Sequence, residues 1–179
     1  MVKRIFITNG MAGCGKDTFA QIMDEYIPTM KYSSIDLVKS IALMCGWNGS
    51  KTERDRKFLS DLKVLTTEYS DLAFNDIKIK VNEFLNDEFY NILLIDIREP
   101  KEIARAKKEF GASTILIVND RITKITSNMA DANVFNYKYD YVIHNDRTLE
   151  DFRQEIKKFL EVIFINVGLQ RILRDGITL

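Results

Sequence analysis

The stretch from Lys3 to Asp17 constrains the fold more than any other, because it runs an apolar strand straight into a glycine-rich turn and then a helix. Arg4-Ile5-Phe6-Ile7-Thr8 is rich in β-branched and aromatic residues and reads as a strand. Gly10-Met11-Ala12-Gly13-Cys14-Gly15-Lys16-Asp17-Thr18 follows, and beyond it Phe19, Ile22, Met23 and Tyr26 fall on one helical face. A strand, a loop spaced Gly-x-x-x-x-Gly-Lys and a helix, in that order, form the phosphate cradle called the P-loop or Walker A motif.

Each residue type in the loop has a physical task. Gly10, Gly13 and Gly15 let successive backbone N–H groups turn inward toward a triphosphate, together with Cys14 between them. The helix behind the loop adds the partial positive charge of its N-terminus. Lys16 supplies a mobile point charge that can follow a phosphoryl group in flight. ATP and Mg²⁺ are the cofactors such a cradle serves. Asp17 stands where the motif usually has the Ser or Thr hydroxyl that ligates Mg²⁺, and Thr18 follows it. Asp17 is expected to reach the metal, directly or through water, with Thr18 on an α-phosphate. The alternative is that Asp17 only complements the helix dipole, worth about 0.3–1 kcal/mol.

A chain of 179 residues, 46% of them apolar, matches one α/β domain with a substantial core. Its 26 basic and 26 acidic side chains balance, so there is no electrostatic reason to expect polymeric nucleic acid as a partner. No apolar run approaches the roughly 18 residues of a membrane span. Met1 to Thr8 is too short for a signal-peptide core and belongs to the first strand. Cys14 and Cys45 have no metal or redox spacing, and a reduced, cytoplasmic setting is expected.

Strands and helices alternate along the chain without a linker. Met30 to Ser34 reads as a second strand, and Asp36 to Cys45 as a helix with Val38, Ile41, Ala42 and Cys45 inward. Gly46 to Ser50 interrupts it, and two helices follow, one carrying Phe58, Leu62, Leu65 and Tyr69 inward, the next Phe74, Ile77, Val81 and Phe84. Ile92 to Asp96 is an unbroken apolar strand of the kind buried on both faces. A helix over 101–110, a strand from Thr114 to Val118, a polar segment reaching Asn136, a strand from Tyr139 to Ile143 and a helix with Phe152, Ile156, Phe159 and Ile163 complete the run. The expected fold is α/β: three layers, with a five-stranded parallel sheet and helices on both faces.

Ligands of such sheets bind beyond the carboxyl ends of the strands. After the central strand comes Asp96-Ile97-Arg98-Glu99-Pro100. Asp96 at a strand tip beside the P-loop can hold Mg²⁺ through a water, and Arg98 can grip a phosphate through two parallel hydrogen bonds. The alternative is that Asp96 caps the next helix while Arg98 pairs with Glu99 or Glu102; Pro100 supports a helix start there.

The loop, the region of Asp36, Asp96-Ile97-Arg98 and the region of Asn145 together resemble the P-loop nucleoside monophosphate kinases. The spelling Gly-Lys-Asp-Thr is most similar to phage-type deoxynucleoside monophosphate kinases and animal-type phosphomevalonate kinases, whereas adenylate kinases have Gly-Lys-Gly-Thr. The resemblance implies an acceptor region over about 35–88 and a lid over about 120–137. It places Ser34, Asp36 and Lys39 at the acceptor's phosphate or base, with helix capping by Ser34 or Asp36 the alternative. It also puts Arg98 on the acceptor or transferring phosphate. The run Lys51 to Lys57 is mostly a solvated face, from which Arg56 is the cation expected in the cleft. Arg121 and Lys124 are the lid cations, fewer than the several arginines usual in the family. Asn145 matches the segment that contacts adenine, ahead of a helix whose Thr148 and Asp151 approximate a capping box. His144, the only histidine, is assigned no catalytic part.

The expected activity is transfer of the γ-phosphate of ATP to a small phosphorylated acceptor, foremost a (deoxy)nucleoside monophosphate, with Lys16, Arg98 and Arg121 stabilising the transferring charge. Two alternatives stay open: a kinase of a non-nucleotide phosphate such as phosphomevalonate or dephospho-coenzyme A, and an ATP-binding module that transfers nothing. A GTPase switch is disfavoured, since no Asn-Lys-x-Asp element is present.

Overall fold

A computed structural model describes residues 3–122 and 133–164. Within them five strands form one parallel sheet: β1 (Arg4–Asn9), β2 (Thr29–Ser33), β3 (Ile92–Asp96), β4 (Ser113–Val118) and β5 (Tyr141–His144), in the spatial order β2-β3-β1-β4-β5. The helices are α1 (Lys16–Tyr26), α2 (Asp36–Met44), α3 (Glu53–Ser70), α4 (Leu72–Asn86), α5 (Pro100–Phe110) and α6 (Leu149–Phe164).

Period-two alternation along the strands divides the core in two. Phe6, Leu94, Ile115 and Ile117 point to one face and pack with Phe19, Ile22 and Met23 of α1 and Phe152, Ile156 and Phe159 of α6. Ile7, Leu93 and Ile95 point to the other and pack with Phe74, Ile77, Val81 and Phe84 of α4 and Ile103 and Ala106 of α5. Each face is thus covered by a pair of helices, which is why β3 is apolar throughout and buried on both sides. The three-layer α/β expectation holds.

Local signals explain most helix boundaries. Pro100 occupies the first turn of α5, and Gly111 ends it in the left-handed region. Thr148 and Asp151 do form a capping box ahead of α6, each accepting from the other's backbone N–H at 3.2 Å. A second box, Thr52 with Asp55, starts α3. Asp71 turns the chain from α3 into α4 with φ of 52° and an ion pair to Arg105 at 2.6 Å.

Three expectations need correction. The face of α3 that carries Phe58, Leu65 and Tyr69 points outward, with Tyr69 89% exposed, and Leu62 is half-buried. The inward side of α3 is instead Leu59, Leu62, Lys63, Thr66 and Thr67, all half-buried, with Lys63 paired to Glu102 of α5 at 2.8 Å. Cys45 lies beyond α2 and is exposed, because the helix ends at Met44. The fifth strand starts at Tyr141, two residues later than expected, and this frees Tyr139 to point at β1. Smaller shifts start β2 and β4 one residue earlier than expected.

Candidate active site

The P-loop leaves β1 at the centre of the sheet, between β3 and β4, and its conformation excludes side chains at two positions. At Gly10, φ is 152° and a Cβ would lie 2.5 Å from the Ile117 carbonyl oxygen of β4. At Gly15, φ is 104° and a Cβ would lie 2.4 Å from Nδ2 of Asn145. The first contact is with backbone and cannot be relieved, and at Gly15 the positive φ strains any side chain even if Asn145 moves aside, so the loop is moulded to β4 and lies against the segment after β5. Gly13 also has positive φ, at 80°.

Lys16 folds its ammonium over this loop, donating to the carbonyls of Gly10 at 2.7 Å and Met11 at 3.0 Å, with Cys14 Sγ at 3.7 Å. Neutral carbonyls are weaker partners for an ammonium than a phosphate would be. Cys14 is buried, and burial pushes its thiol pKa up against the pull of Lys16, which keeps it a neutral packing group. Thr18 is half-buried one residue beyond Asp17.

Across the loop, Asn145 donates from Nδ2 to the Cys14 carbonyl at 3.0 Å. Arg121 donates to the Asn145 carbonyl at 3.2 Å, so both residues stand with the P-loop at the carboxyl ends of β4 and β5. Lys124 and most of the lid segment 120–137 lie outside the described residues. His144 is accounted for by Asp146, 3.1 Å from its Nδ1.

A second cluster is built by strand register. Thr8 is aligned with Asp96, and Lys31 with Leu94, so the side chains of Thr8, Lys31 and Asp96 share the face that α1 covers. Thr8 donates its hydroxyl to Asp96 Oδ1. Lys31 sits 3.2 Å from Asp96 Oδ2 and also bonds Asp17 in the first turn of α1. That hydrogen bond to Lys31 holds the Asp17 carboxyl below its ordinary pKa. Asp96 does not cap α5: the N-cap is Glu99, with no side-chain cap. Two carboxylates from different elements thus converge on one cation, and their oxygens are of the hard type that could hold Mg²⁺.

The acceptor-side residues are bonded locally. Asp36 accepts from the Ser33 N–H at 3.0 Å and from Lys39, one turn along α2, at 3.1 Å. Ser34 is buried with its N–H on the Asp96 carbonyl at 3.0 Å, and neither Ser34 nor Asp36 is the N-cap of α2, which is Ile35. Arg56 is exposed and donates to the Lys51 carbonyl at 3.2 Å. Arg98 is half-buried just past β3, and Glu102, one alternative partner, is engaged by Lys63.

Sequence reasoning missed Lys31, Thr8, and a network on the opposite face. There, buried Asn9 donates to the Arg98 carbonyl at 3.1 Å and to the Tyr139 hydroxyl at 2.7 Å, and Tyr139 donates to the Val134 carbonyl at 2.8 Å. Burial pushes the Tyr139 phenol up to about 12. Only register, which no local signal encodes, brings these groups together.

No protein-family model matches the sequence, and no curated protein matches it either. Solved structures do. A shikimate kinase from Acinetobacter baumannii, in complex with shikimate, superposes with a TM-score of 0.51 at 11% identity, covering 94% of this chain and 96% of that one. A dephospho-CoA kinase from Campylobacter jejuni gives 0.46 at 21% identity, over 90% and 97% of the two chains. A thymidylate kinase from Ehrlichia chaffeensis gives 0.42 at 14% identity, over 89% and 100%. With the sheet order and the loop geometry already described, the first of these similarities shows that the chain has the fold of the P-loop kinases.

Proposed function

We propose that the protein is an ATP-dependent phosphotransferase that moves the γ-phosphate to a small phosphorylated acceptor, foremost a (deoxy)nucleoside monophosphate. The observation that carries this reading is the Lys16 ammonium folded over a glycine loop, at the start of a helix whose Asp17 is joined through Lys31 to Asp96 at the end of β3. Gly10, Gly13, Cys14, Gly15, Lys16 and Thr18 form the phosphate cradle, and Asn145 faces the adenine side. Asp17 and Asp96 would hold Mg²⁺, which would supply positive charge to neutralise the phosphates. Lys16, Arg98 and Arg121 would stabilise the charge on the transferring group. Ser34, Asp36, Lys39 and Arg56 face the acceptor.

A module that binds ATP without transferring it needs no polar acceptor cleft, yet the start of α2 presents the half-buried Asp36 and Lys39. That observation favours transfer. The test is a coupled ADP-release assay over a panel of nucleoside monophosphates, phosphomevalonate and dephospho-coenzyme A. Acceptor-dependent ADP release supports the reading and names the acceptor. ADP release that no acceptor accelerates refutes transfer.

A further inference from the structure

Lys31 lies on β2, an edge strand of the sheet, where a lysine ordinarily extends into solvent and guards the edge against pairing with another chain. Here it does something else. Its register with Leu94 points it to the α1 face, and its ammonium reaches past the strand end to Asp96 Oδ2 at 3.2 Å and to Asp17 on α1. The remaining oxygen of Asp96 carries the Thr8 hydroxyl, so both oxygens of that carboxylate are engaged. The two carboxylates differ in freedom: the Asp17 side chain is 90% exposed and that of Asp96 only 16%.

We propose that Lys31 is a tethered cation joining Asp17 to Asp96, and that a divalent ion held by these two carboxylates must displace it. The proposal rests on the phosphotransferase reading, in which these carboxylates serve the metal. Asp96, pinned by Thr8 and little exposed, keeps its place, while Asp17 is the arm that changes partner. The two carboxylates and one ammonium carry a net single negative charge. A dication arriving within a few ångströms of the ammonium is repelled unless Lys31 leaves, so Lys31 lowers the affinity of the two carboxylates for a divalent ion. It thereby favours metal that arrives already complexed to nucleotide over free metal, because the phosphates supply the charge that the occupied carboxylates withhold.

The test is Mn²⁺ binding, followed by electron paramagnetic resonance, to the full-length protein without nucleotide, beside a calorimetric titration with Mg²⁺-ATP. Lys31→Met, and Lys31→Gln as a second uncharged variant should methionine disturb the packing, are expected to tighten Mn²⁺ binding by roughly tenfold. Lys31→Arg, which keeps the cation, is expected to stay within about twofold of the parent protein. If folded Lys31→Met and Lys31→Gln bind Mn²⁺ no more tightly while Mg²⁺-ATP still binds the parent protein, the gating role is overturned and the phosphotransferase reading stands. If Mg²⁺-ATP fails to bind the parent protein, that reading falls and the proposal with it.

Discussion

The residues proposed for the donor side and those proposed for the acceptor side are held in different ways. On the donor side the contacts are long in sequence: Asn145 to Cys14, Thr8 and Lys31 to Asp96, and Gly10 against β4. On the acceptor side the charged groups are paired mostly within a turn or two of chain: Asp36 with Lys39, Arg56 with the Lys51 carbonyl, and Thr52 with Asp55, while the Ser34 backbone and Lys63 reach Asp96 and Glu102. The sheet therefore fixes the residues proposed for the donor side, while the charged side chains proposed for the acceptor side, Asp36, Lys39 and Arg56, are exposed or half-buried and bonded to near neighbours. Binding phosphates demands the same geometry whatever the acceptor, and acceptor choice is the part that the loosely held half is free to set.

The largest expected effect falls on the donor half. Lys16→Ala should lower the transfer rate by about a hundredfold or more with an unchanged circular dichroism spectrum, since its charge is aimed at the transferring group. Near-normal turnover in a folded variant would remove the donor half from the comparison altogether. Gly10→Ala should follow, because a Cβ 2.5 Å from the Ile117 carbonyl cannot be relieved by a rotamer change. It should cost about 1–3 kcal/mol in a denaturant titration and weaken ATP binding as the loop shifts.

Arg98→Ala separates the halves kinetically. It should raise the acceptor KM or lower kcat by roughly tenfold, with ATP affinity in a direct titration nearly unchanged. A large loss of ATP affinity would instead place Arg98 on the donor side. The smallest effect is expected on the outer face of α3, where Tyr69→Ser should change stability by no more than about 0.5 kcal/mol in thermal unfolding. A loss several times larger would mean that the exposed stripe is covered in solution.

The features visible in the sequence are those set by local pattern. The P-loop, the order of strands and helices, and the buried face of α4 all follow from residue spacing, because each is decided within one or two turns of chain. The inward face of α3 was not visible for a physical reason. Lys63 turns inward to pair with Glu102 of α5, and Thr66 satisfies its hydroxyl on carbonyls of its own helix, while Phe58, Leu65 and Tyr69 turn out, against the rule that the apolar stripe is buried. Lys31 was hidden differently. In sequence it is one polar residue between Met30 and Tyr32 of an edge strand, and only the register of β2 against β3 aims it at Asp96. Tyr139 was read as strand because its pattern continues that of β5, whereas its hydroxyl is claimed by Asn9.

The central claim is that the donor half hands a phosphoryl group to a molecule held by the acceptor half. Its most direct test follows γ-labelled ATP through a single turnover, with the acceptor that gives the greatest ADP release. The label is expected on the acceptor in step with ADP, and Lys16→Ala is expected to abolish both. Label released as inorganic phosphate, at the same rate with or without acceptor, would contradict it.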